Sequence, residues 1–186
     1  MAQLIYVANV SLDGYVEDAD GRFDWTQPSE EVFAFLTDLV RPLGTYLNGR
    51  RMYETMAVWE TDPSLGAQSA LFGDFAAHWQ AAEKVVYSTT LSEVMTSNTR
   101  LERRFDPDAI RAMKAAASSD LSIAGPTLAA QAFKAGLIDE CQLLIHPVLI
   151  GGGKPAILTE DRLELELLDE HRFADGVVSL RYAVGR

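Results

Sequence analysis

A strand, a tight turn and a helix follow one another directly at residues 121–135, and a second strand comes soon after. Leu121–Ala124 is an apolar run that predicts a strand, and Pro126–Ala135 predicts a helix that ends at Gly136. Cys141–Ile145 is the next apolar run and predicts the second strand. Two strands joined by a helix are typical of parallel pairing, so this segment favours an α/β fold.

The rest of the chain extends this pattern. Leu4–Val10 is apolar apart from Asn9, which is typical of a strand buried on both faces of a parallel or mixed sheet. Apolar and polar residues alternate on both sides of Asp175-Gly176, which predicts a C-terminal antiparallel hairpin with one polar face. Further strands are predicted at Thr45–Leu47, Lys84–Tyr87 and Thr99–Phe105, and further helices from Ser29, over Arg50–Met56, over Leu71–Ala82 and from Asp106-Pro107. We therefore predict one three-layer α/β/α domain over residues 1–186, with a mostly parallel central sheet closed by the hairpin.

Composition limits the partners. The chain has 27 acidic and 16 basic residues and a net charge of -11, which repels the phosphate backbone of nucleic acids. Cys141 is the single cysteine, so neither an intrachain disulfide nor a thiolate zinc site can form. The N-terminus lacks the basic segment of a secretion signal, and no apolar run reaches the roughly 18 residues of a membrane span. We expect a cytoplasmic protein whose partner is a small molecule, with no role for nucleic acid or a membrane.

Residues suited to anions follow three predicted strands. Gly125 lies between a strand and a helix, where free backbone N–H groups and the helix dipole favour a phosphate. A tight turn without a ligand explains this spacing equally well. Gly49-Arg50-Arg51 follows another strand and suits a pyrophosphate or a ribose 2′-phosphate, although a solvated basic pair is the alternative. Ser88-Thr89-Thr90 follows a third strand, and the carboxyl ends of parallel strands are where ligands bind.

Acidic and histidine side chains give weaker signals. Glu30 precedes core residues of the first helix, so a partly buried carboxylate with a raised pKa could relay a proton there; a solvated acid of the first helical turn is the favoured alternative. Asp18–Gly21 fits only part of a calcium-binding loop, and the three histidines lack metal-ligand spacing. We predict no metal site.

Four motifs resemble a known family. They are Ser11-Leu12-Asp13-Gly14, Gly49-Arg50-Arg51-Met52-Tyr53-Glu54, Ser122-Ile123-Ala124-Gly125-Pro126, and His146-Pro147-Val148-Leu149 before Gly151-Gly152-Gly153. In this order they resemble the dihydrofolate-reductase-like superfamily. The closer resemblance is to the C-terminal reductase domain of the riboflavin-biosynthesis deaminase–reductase, the RibD C-terminal type, in a stand-alone form.

The resemblance implies NADPH as the cofactor and assigns residues to it. The implied cofactor-binding residues are Ala8 and Asn9 at the nicotinamide amide, Gly14 at the nicotinamide end, Gly49, Arg50 and Arg51 at the adenosine-side phosphates, Ser88 and Thr89 near the adenine ribose, and Gly125, Pro126, Thr127 and Leu128 at the pyrophosphate. Trp25, Pro28 and Glu30 match the pattern of dihydrofolate reductase, which implies a substrate site at Trp25 and Glu30. Glu30 and Asp13 are the candidate catalytic residues.

The implied activity is that of an NADPH-dependent oxidoreductase similar to 5-amino-6-(5-phosphoribosylamino)uracil reductase. The deaminase half of the bifunctional enzyme has no counterpart, since neither H-x-E nor P-C-x-x-C occurs. Dihydrofolate reduction and a nucleotide-binding module without catalysis are the alternatives. The predicted hairpin has a free edge, so we also expect a homodimer.

Overall fold

The computed structural model describes residues 1–185 and contains ten strands and seven α-helices in that range. The strands are β1 (Leu4–Ser11), β2 (Tyr15–Glu17), β3 (Leu43–Gly49), β4 (Glu83–Tyr87), β5 (Thr99–Glu102), β6 (Asp120–Ala124), β7 (Glu140–His146), β8 (Lys154–Pro155), β9 (Leu165–Arg172) and β10 (Val178–Val184). The helices are α1 (Glu30–Val40), α2 (Arg50–Met56), α3 (Val58–Thr61), α4 (Pro63–Gly66), α5 (Ala70–Ala81), α6 (Pro107–Ala116) and α7 (Pro126–Lys134), and a 3-10 turn precedes α1 at Asp24–Thr26.

Eight strands form one sheet in the order β5-β4-β3-β6-β1-β7-β10-β9. The first six strands of this order are parallel to one another, and β10 is antiparallel to both β7 and β9. The predicted α/β class, the mostly parallel sheet and the antiparallel end are therefore confirmed. The remaining strands, β2 and β8, form a separate antiparallel pair beside the sheet.

Helices cover both faces of the sheet. Along β1, Leu4, Tyr6, Ala8 and Val10 pack into the cluster that contains α6 and α7. Ile5 and Val7 point the other way, into the cluster that contains α1, α2 and α5. This alternation follows from the two-residue period of a strand and builds the predicted three layers. In the described part of the chain, no helix has the length and apolarity that a bilayer crossing needs.

Local capping explains why the helix starts were predictable. The Ser29 side chain accepts a hydrogen bond from Val32 N–H and begins α1, and the Asp106 side chain accepts one from Asp108 N–H and begins α6. Gly136 follows α7 with a φ of 62°, a left-handed conformation that suits glycine.

Two strand predictions need correction. The strand expected over Thr99–Phe105 ends at Glu102, and the Arg103 side chain beyond it donates to the carbonyls of Ser88 and Leu91. The hairpin was expected to hide one face, but every residue of β9 is exposed. β9 is the edge strand, and a register shift at Arg181/Tyr182 interrupts the alternation.

Candidate functional site

Three of the predicted anion-binding segments meet at one edge of the sheet. Parallel pairing places Asn48 opposite Ala124 and Gly49 opposite Tyr87, so the segments that follow β3, β4 and β6 are neighbours. A Cβ atom on Gly125 would lie 4.0 Å from the backbone nitrogen of Gly49. The sequence expectation that these strand ends share an edge agrees with this geometry.

The N-terminus of α7 is open to a ligand. Gly125 holds a φ of 93°, and no side chain caps the helix. Pro126 has no N–H, so the first-turn donors are those of Thr127 and Leu128. Thr127 is exposed, whereas Pro126 and Leu128 are buried. Uncapped first-turn N–H groups and the helix dipole make this end attractive to an anion.

A buried amide lies on the neighbouring strand: Asn48 pairs with Ala124, and its side chain lies on the same face of the sheet as that of Tyr46. Asn48 is only 3% exposed, and within residues 1–185 nothing accepts a hydrogen bond from its Nδ2. A buried donor without a partner costs about 1–3 kcal/mol. An acceptor supplied by a ligand at this edge would remove that cost.

Arg50 and Arg51 point to different parts of the edge. The Arg50 guanidinium donates to Glu54 Oε1 at 2.8 Å and to Thr90 Oγ1 at 2.9 Å, on the β4 side. The Arg51 guanidinium donates to Glu17 Oε1 at 2.9 Å and to the carbonyl of Gly21 at 3.3 Å. Consecutive helical residues are about 100° apart around the axis, so the two side chains diverge.

Ser88 and Thr89 differ in availability. The Ser88 hydroxyl accepts hydrogen bonds from the N–H groups of Thr90 and Leu91, at 3.2 Å and 2.9 Å, and is buried. Ser88 therefore shapes the turn, whereas Thr89 is exposed. A cavity of about 530 Å³ opens nearby, lined by Tyr87, Phe105, Arg103 and Arg104 among others. Sequence reasoning missed this cavity because its walls come from β5 and α6.

A second polar group lies at the ends of β1 and β7. The Nε2–H of His146 donates to Asn9 Oδ1 at 3.0 Å. The indole of Trp25 packs edge-on against the imidazole, with ring centroids 5.6 Å apart. Alternation places Asn9 on the α1 side of the sheet, whereas Ala8 faces α7. Asn48 on β3 is two strands away from Asn9 on β1 in the sheet order, about 10 Å at the usual strand spacing, so the two polar groups mark the ends of an elongated site.

Burial favours the neutral form of the His146 imidazole. His146 is 4% exposed, and burial lowers its pKa, while the nearby Asp175 carboxylate raises it in part. The imidazole is therefore neutral at neutral pH. Because Nε2 carries the proton that Asn9 accepts, Nδ1 is the basic atom. His146 was noted only as part of a motif in the sequence, and its position at a strand end beside β1 was the signal for a functional role.

Asp13 is occupied by backbone and hydroxyl groups. Its carboxylate accepts hydrogen bonds from the Ser11 hydroxyl at 2.7 Å and from Gly151 N–H at 2.7 Å, with Ile150 N–H at 3.2 Å. The Ser11 hydrogen bond is the largest cause that lowers the pKa of Asp13. Gly14 follows with a φ of 93°, and its carbonyl accepts from Ala156 N–H. Asp13 and Gly14 thus hold the glycine-rich loop of residues 151–153 in place. The catalytic role of Asp13 stays a prediction.

Glu30 has the environment that the sequence favoured. It is the first residue of α1 and its side chain is exposed, as expected for a solvated acid of the first helical turn, so the partly buried carboxylate that was weighed against it is not present. Trp25 is half-buried, and within residues 1–185 its Nε1 has no hydrogen-bond partner. The substrate and catalytic roles of Glu30 stay predictions.

Comparisons with known proteins place the chain among related sequences. A family model described as the RibD C-terminal domain matches residues 2–179. The uncharacterized protein YyaP of Bacillus subtilis strain 168 is 25% identical over 180 residues, which are 93% of this chain and 90% of YyaP.

Solved structures agree with the fold. A protein from Shewanella sp. PV-4, provisionally assigned to riboflavin biosynthesis, has a TM-score of 0.77 and 24% identity, with 100% of both chains covered. Dihydrofolate reductase from Enterococcus faecalis, complexed with NADP(H) and RAB-propyl, has a TM-score of 0.66 and 11% identity, with 99% of this chain and 97% of that chain covered. The fold is therefore dihydrofolate-reductase-like.

Proposed function

The chain belongs to the RibD C-terminal domain family, and from this premise we propose that it is an NADPH-dependent reductase. The proposed reaction delivers hydride to the carbon of an iminium-like or carbonyl-like bond in a small heterocyclic or sugar-linked substrate. We propose the reaction type of 5-amino-6-(5-phosphoribosylamino)uracil reductase. The similar Shewanella protein supports the riboflavin pathway, and the similar dihydrofolate reductase supports the cofactor.

One observation carries the proposal: the uncapped start of α7 follows Ala124, whose partner on β3 is Asn48, a buried residue whose amide Nδ2 has no hydrogen-bond partner within residues 1–185. The N-terminus of α7 presents the N–H groups of Thr127 and Leu128, and Asn48 precedes Gly49 at the neighbouring strand end. Both features call for an acceptor, and a pyrophosphate supplies several. Gly125 has no Cβ, so a phosphate can approach its backbone closely.

The residues at this edge have distinct proposed roles. Thr127 and Leu128 would donate backbone N–H groups to the pyrophosphate, and Gly49 would leave room for it. Arg50 would hold an adenosine-side phosphate, since its guanidinium already reaches Thr90. Thr89 is exposed and would face the adenine ribose.

The ends of β1 and β7 would face the reacting atoms. NADPH, when bound, supplies the hydride from its nicotinamide ring. Ala8 and Asn9 would hold the carboxamide, and Trp25 would limit the access of water. Glu30 is the first residue of α1 and would contact the polar edge of the substrate.

Proton movement at this site would involve His146 rather than Asp13. Asp13 has a lowered pKa and stays ionised at neutral pH, so it is a poor acid. Burial lowers the pKa of His146 and keeps its imidazole neutral at neutral pH, and its Nδ1 is the atom that would accept a proton, since Nε2 is committed to Asn9.

Dihydrofolate reduction is the second candidate function. It is favoured by the spacing of Trp25, Pro28 and Glu30, because this pattern places an acid one residue past the cap of α1. The two candidates share a cofactor and differ in the substrate.

The proposal is tested by titrating the protein with NADPH and NADH while following tryptophan fluorescence. We expect NADPH to bind in the micromolar range that is typical of cofactor and substrate sites, and more tightly than NADH. Loss of NADPH absorbance is then measured with 5-amino-6-(5-phosphoribosylamino)uracil or dihydrofolate. Absence of binding at roughly 1 mM NADPH would contradict the proposal. Binding without oxidation by either compound would instead favour a module without catalysis.

A further inference from the structure

We propose that Arg51 is a positioning residue that ties the loop of residues 14–22 to α2 through Glu17, and that it does not bind a phosphate. The inference rests on the proposed function only where it predicts nucleotide affinities. It separates Arg51 from its neighbour Arg50, to which the family resemblance gives the same role.

The Arg51 side chain contacts the loop of residues 14–22, whereas that of Arg50 contacts the segment after β4. Both of its terminal nitrogens are engaged by the loop, one by the Glu17 carboxylate at 2.9 Å and one by the Gly21 carbonyl at 3.3 Å. A Cβ atom on Gly21 would lie only 3.0 Å from the second nitrogen, so a glycine allows this close approach. Arg50, one residue earlier, contacts Thr90 on the opposite side.

Glu17 is the centre of this arrangement. Its side chain is 16% exposed and lies between two cations, Arg51 from α2 and Lys154 from β8, with Lys154 Nζ at 4.0 Å. A carboxylate this far removed from water needs such partners. The Glu17 side chain therefore joins three segments: the loop of residues 14–22, α2, and β8 after the glycine-rich loop of residues 151–153.

Backbone packing fixes the same junction. Gly153 lies so close to β2 that a Cβ atom there would be 2.0 Å from the carbonyl oxygen of Glu17. Ala156 N–H donates to the Gly14 carbonyl at 2.9 Å. The loop continues to Trp25, which packs against His146. Through this loop, Arg51 on α2 thus helps to hold the indole of Trp25 in place.

The test compares Arg51→Ala with Arg50→Ala as its matched control, since both remove a guanidinium from the first turn of α2. Amide hydrogen exchange is measured over residues 14–27, together with the melting temperature and the affinities for NADPH and NADH. In Arg51→Ala we expect exchange over 14–27 to rise about two- to fivefold, as befits a partly exposed ion pair. The ratio of NADPH to NADH affinity stays within about twofold of wild type. In Arg50→Ala that exchange is unchanged and NADPH affinity falls about tenfold, the effect of a lost charge-assisted contact.

Glu17→Gln provides the second variant. It should raise exchange over the same residues, and the double variant with Arg51→Ala should raise it by less than the product of the two single effects, because both single variants remove the Arg51–Glu17 contact. Exchange that rises throughout the chain would indicate general destabilisation and would overturn the positioning role. So would a loss of NADPH preference in Arg51→Ala as large as that in Arg50→Ala.

Failure of the proposed function gives a different result. If the wild-type protein binds neither nucleotide, the reductase proposal fails, and the exchange measurements alone decide the role of Arg51. Unchanged exchange over 14–27 in both Arg51→Ala and Glu17→Gln would then overturn it.

Discussion

The imidazole of His146 is enclosed by groups from three parts of the chain: Asn9 on β1, Trp25 in the turn before α1, and Asp175 in the hairpin turn. Burial is the larger influence and lowers its pKa, while Asp175 opposes this shift. The Asp175 carboxylate is itself kept ionised, because the Ser29 side chain and Val177 N–H lower its pKa. At the scale of single residues, the protonation state of His146 therefore depends on its burial and on the charge of Asp175.

This environment predicts how stability depends on pH. A histidine whose pKa is lower in the folded than in the unfolded state contributes stability above the unfolded value, about 6.5, and loses it as the pH falls through the folded value. We expect the unfolding free energy of the wild type to fall more steeply from about pH 8 to pH 5 than that of His146→Gln, in which an amide N–H can still serve Asn9. Urea denaturation at both pH values measures the difference. Equal falls in the two proteins would contradict the assigned burial effect.

At the scale of elements, the small β2–β8 pair depends on glycine for two separate reasons. Gly152 and Gly153 both have positive φ values, 150° and 140°. A Cβ atom on Gly153 would meet Glu17 O at 2.0 Å, whereas one on Gly152 would meet nothing within 4 Å. A side chain would therefore strain the backbone at both positions, but only at Gly153 would its Cβ atom also collide with Glu17 O.

Alanine substitution separates strain from contact. Gly152→Ala should lower the unfolding free energy by about 1–3 kcal/mol, the usual cost of a strained backbone. Gly153→Ala should lower it further, because β2 must also move away from β8. Denaturant titration measures both, with Gly152→Ala as the control. Equal losses would show that the close contact with Glu17 does not matter.

The elements also show which features a sequence can reveal. Helix starts at Ser29 and Asp106 were predictable because a cap is a local interaction between nearby residues. The end of β5 at Glu102 was not predictable, because residues 103–105 contain no glycine or proline that would mark it. Gly125 and Arg50 were likewise indicated by local motifs. The His146–Asn9 contact and the divergence of Arg51 from Arg50 could be seen only in the folded structure, because they join residues far apart in the chain.

At the scale of the whole molecule, the exposed strand β9 is the notable surface. It forms one edge of the eight-stranded sheet and carries three exposed leucines, Leu165, Leu167 and Leu168. Exposed apolar edge strands favour pairing with another chain. The expected homodimer remains a prediction, and this edge is where we place it.

A charged substitution tests the dimer. Leu167→Lys should shift the protein from dimer to monomer, because it adds a buried charge to the paired edge. Met95→Lys is the control, since Met95 is equally exposed in a loop near the opposite edge of the sheet. Sedimentation velocity at micromolar concentration reports the mass. A monomeric wild type would contradict the prediction.

The affinity of two glycine variants for NADPH tests the central claim most directly. Gly125 and Gly136 flank α7, both have positive φ, and an added Cβ would meet no atom closer than 4.0 Å at either position. Alanine strains the backbone at both positions, more at Gly125, whose φ of 93° and ψ of 118° lie outside the left-handed region, so the melting temperatures of both variants are measured alongside. If the phosphates bind at the start of α7, Gly125→Ala weakens NADPH binding at least tenfold, which corresponds to about 1.4 kcal/mol, while Gly136→Ala binds as the wild type does. Equal affinities in the two variants would contradict a phosphate site at Gly125.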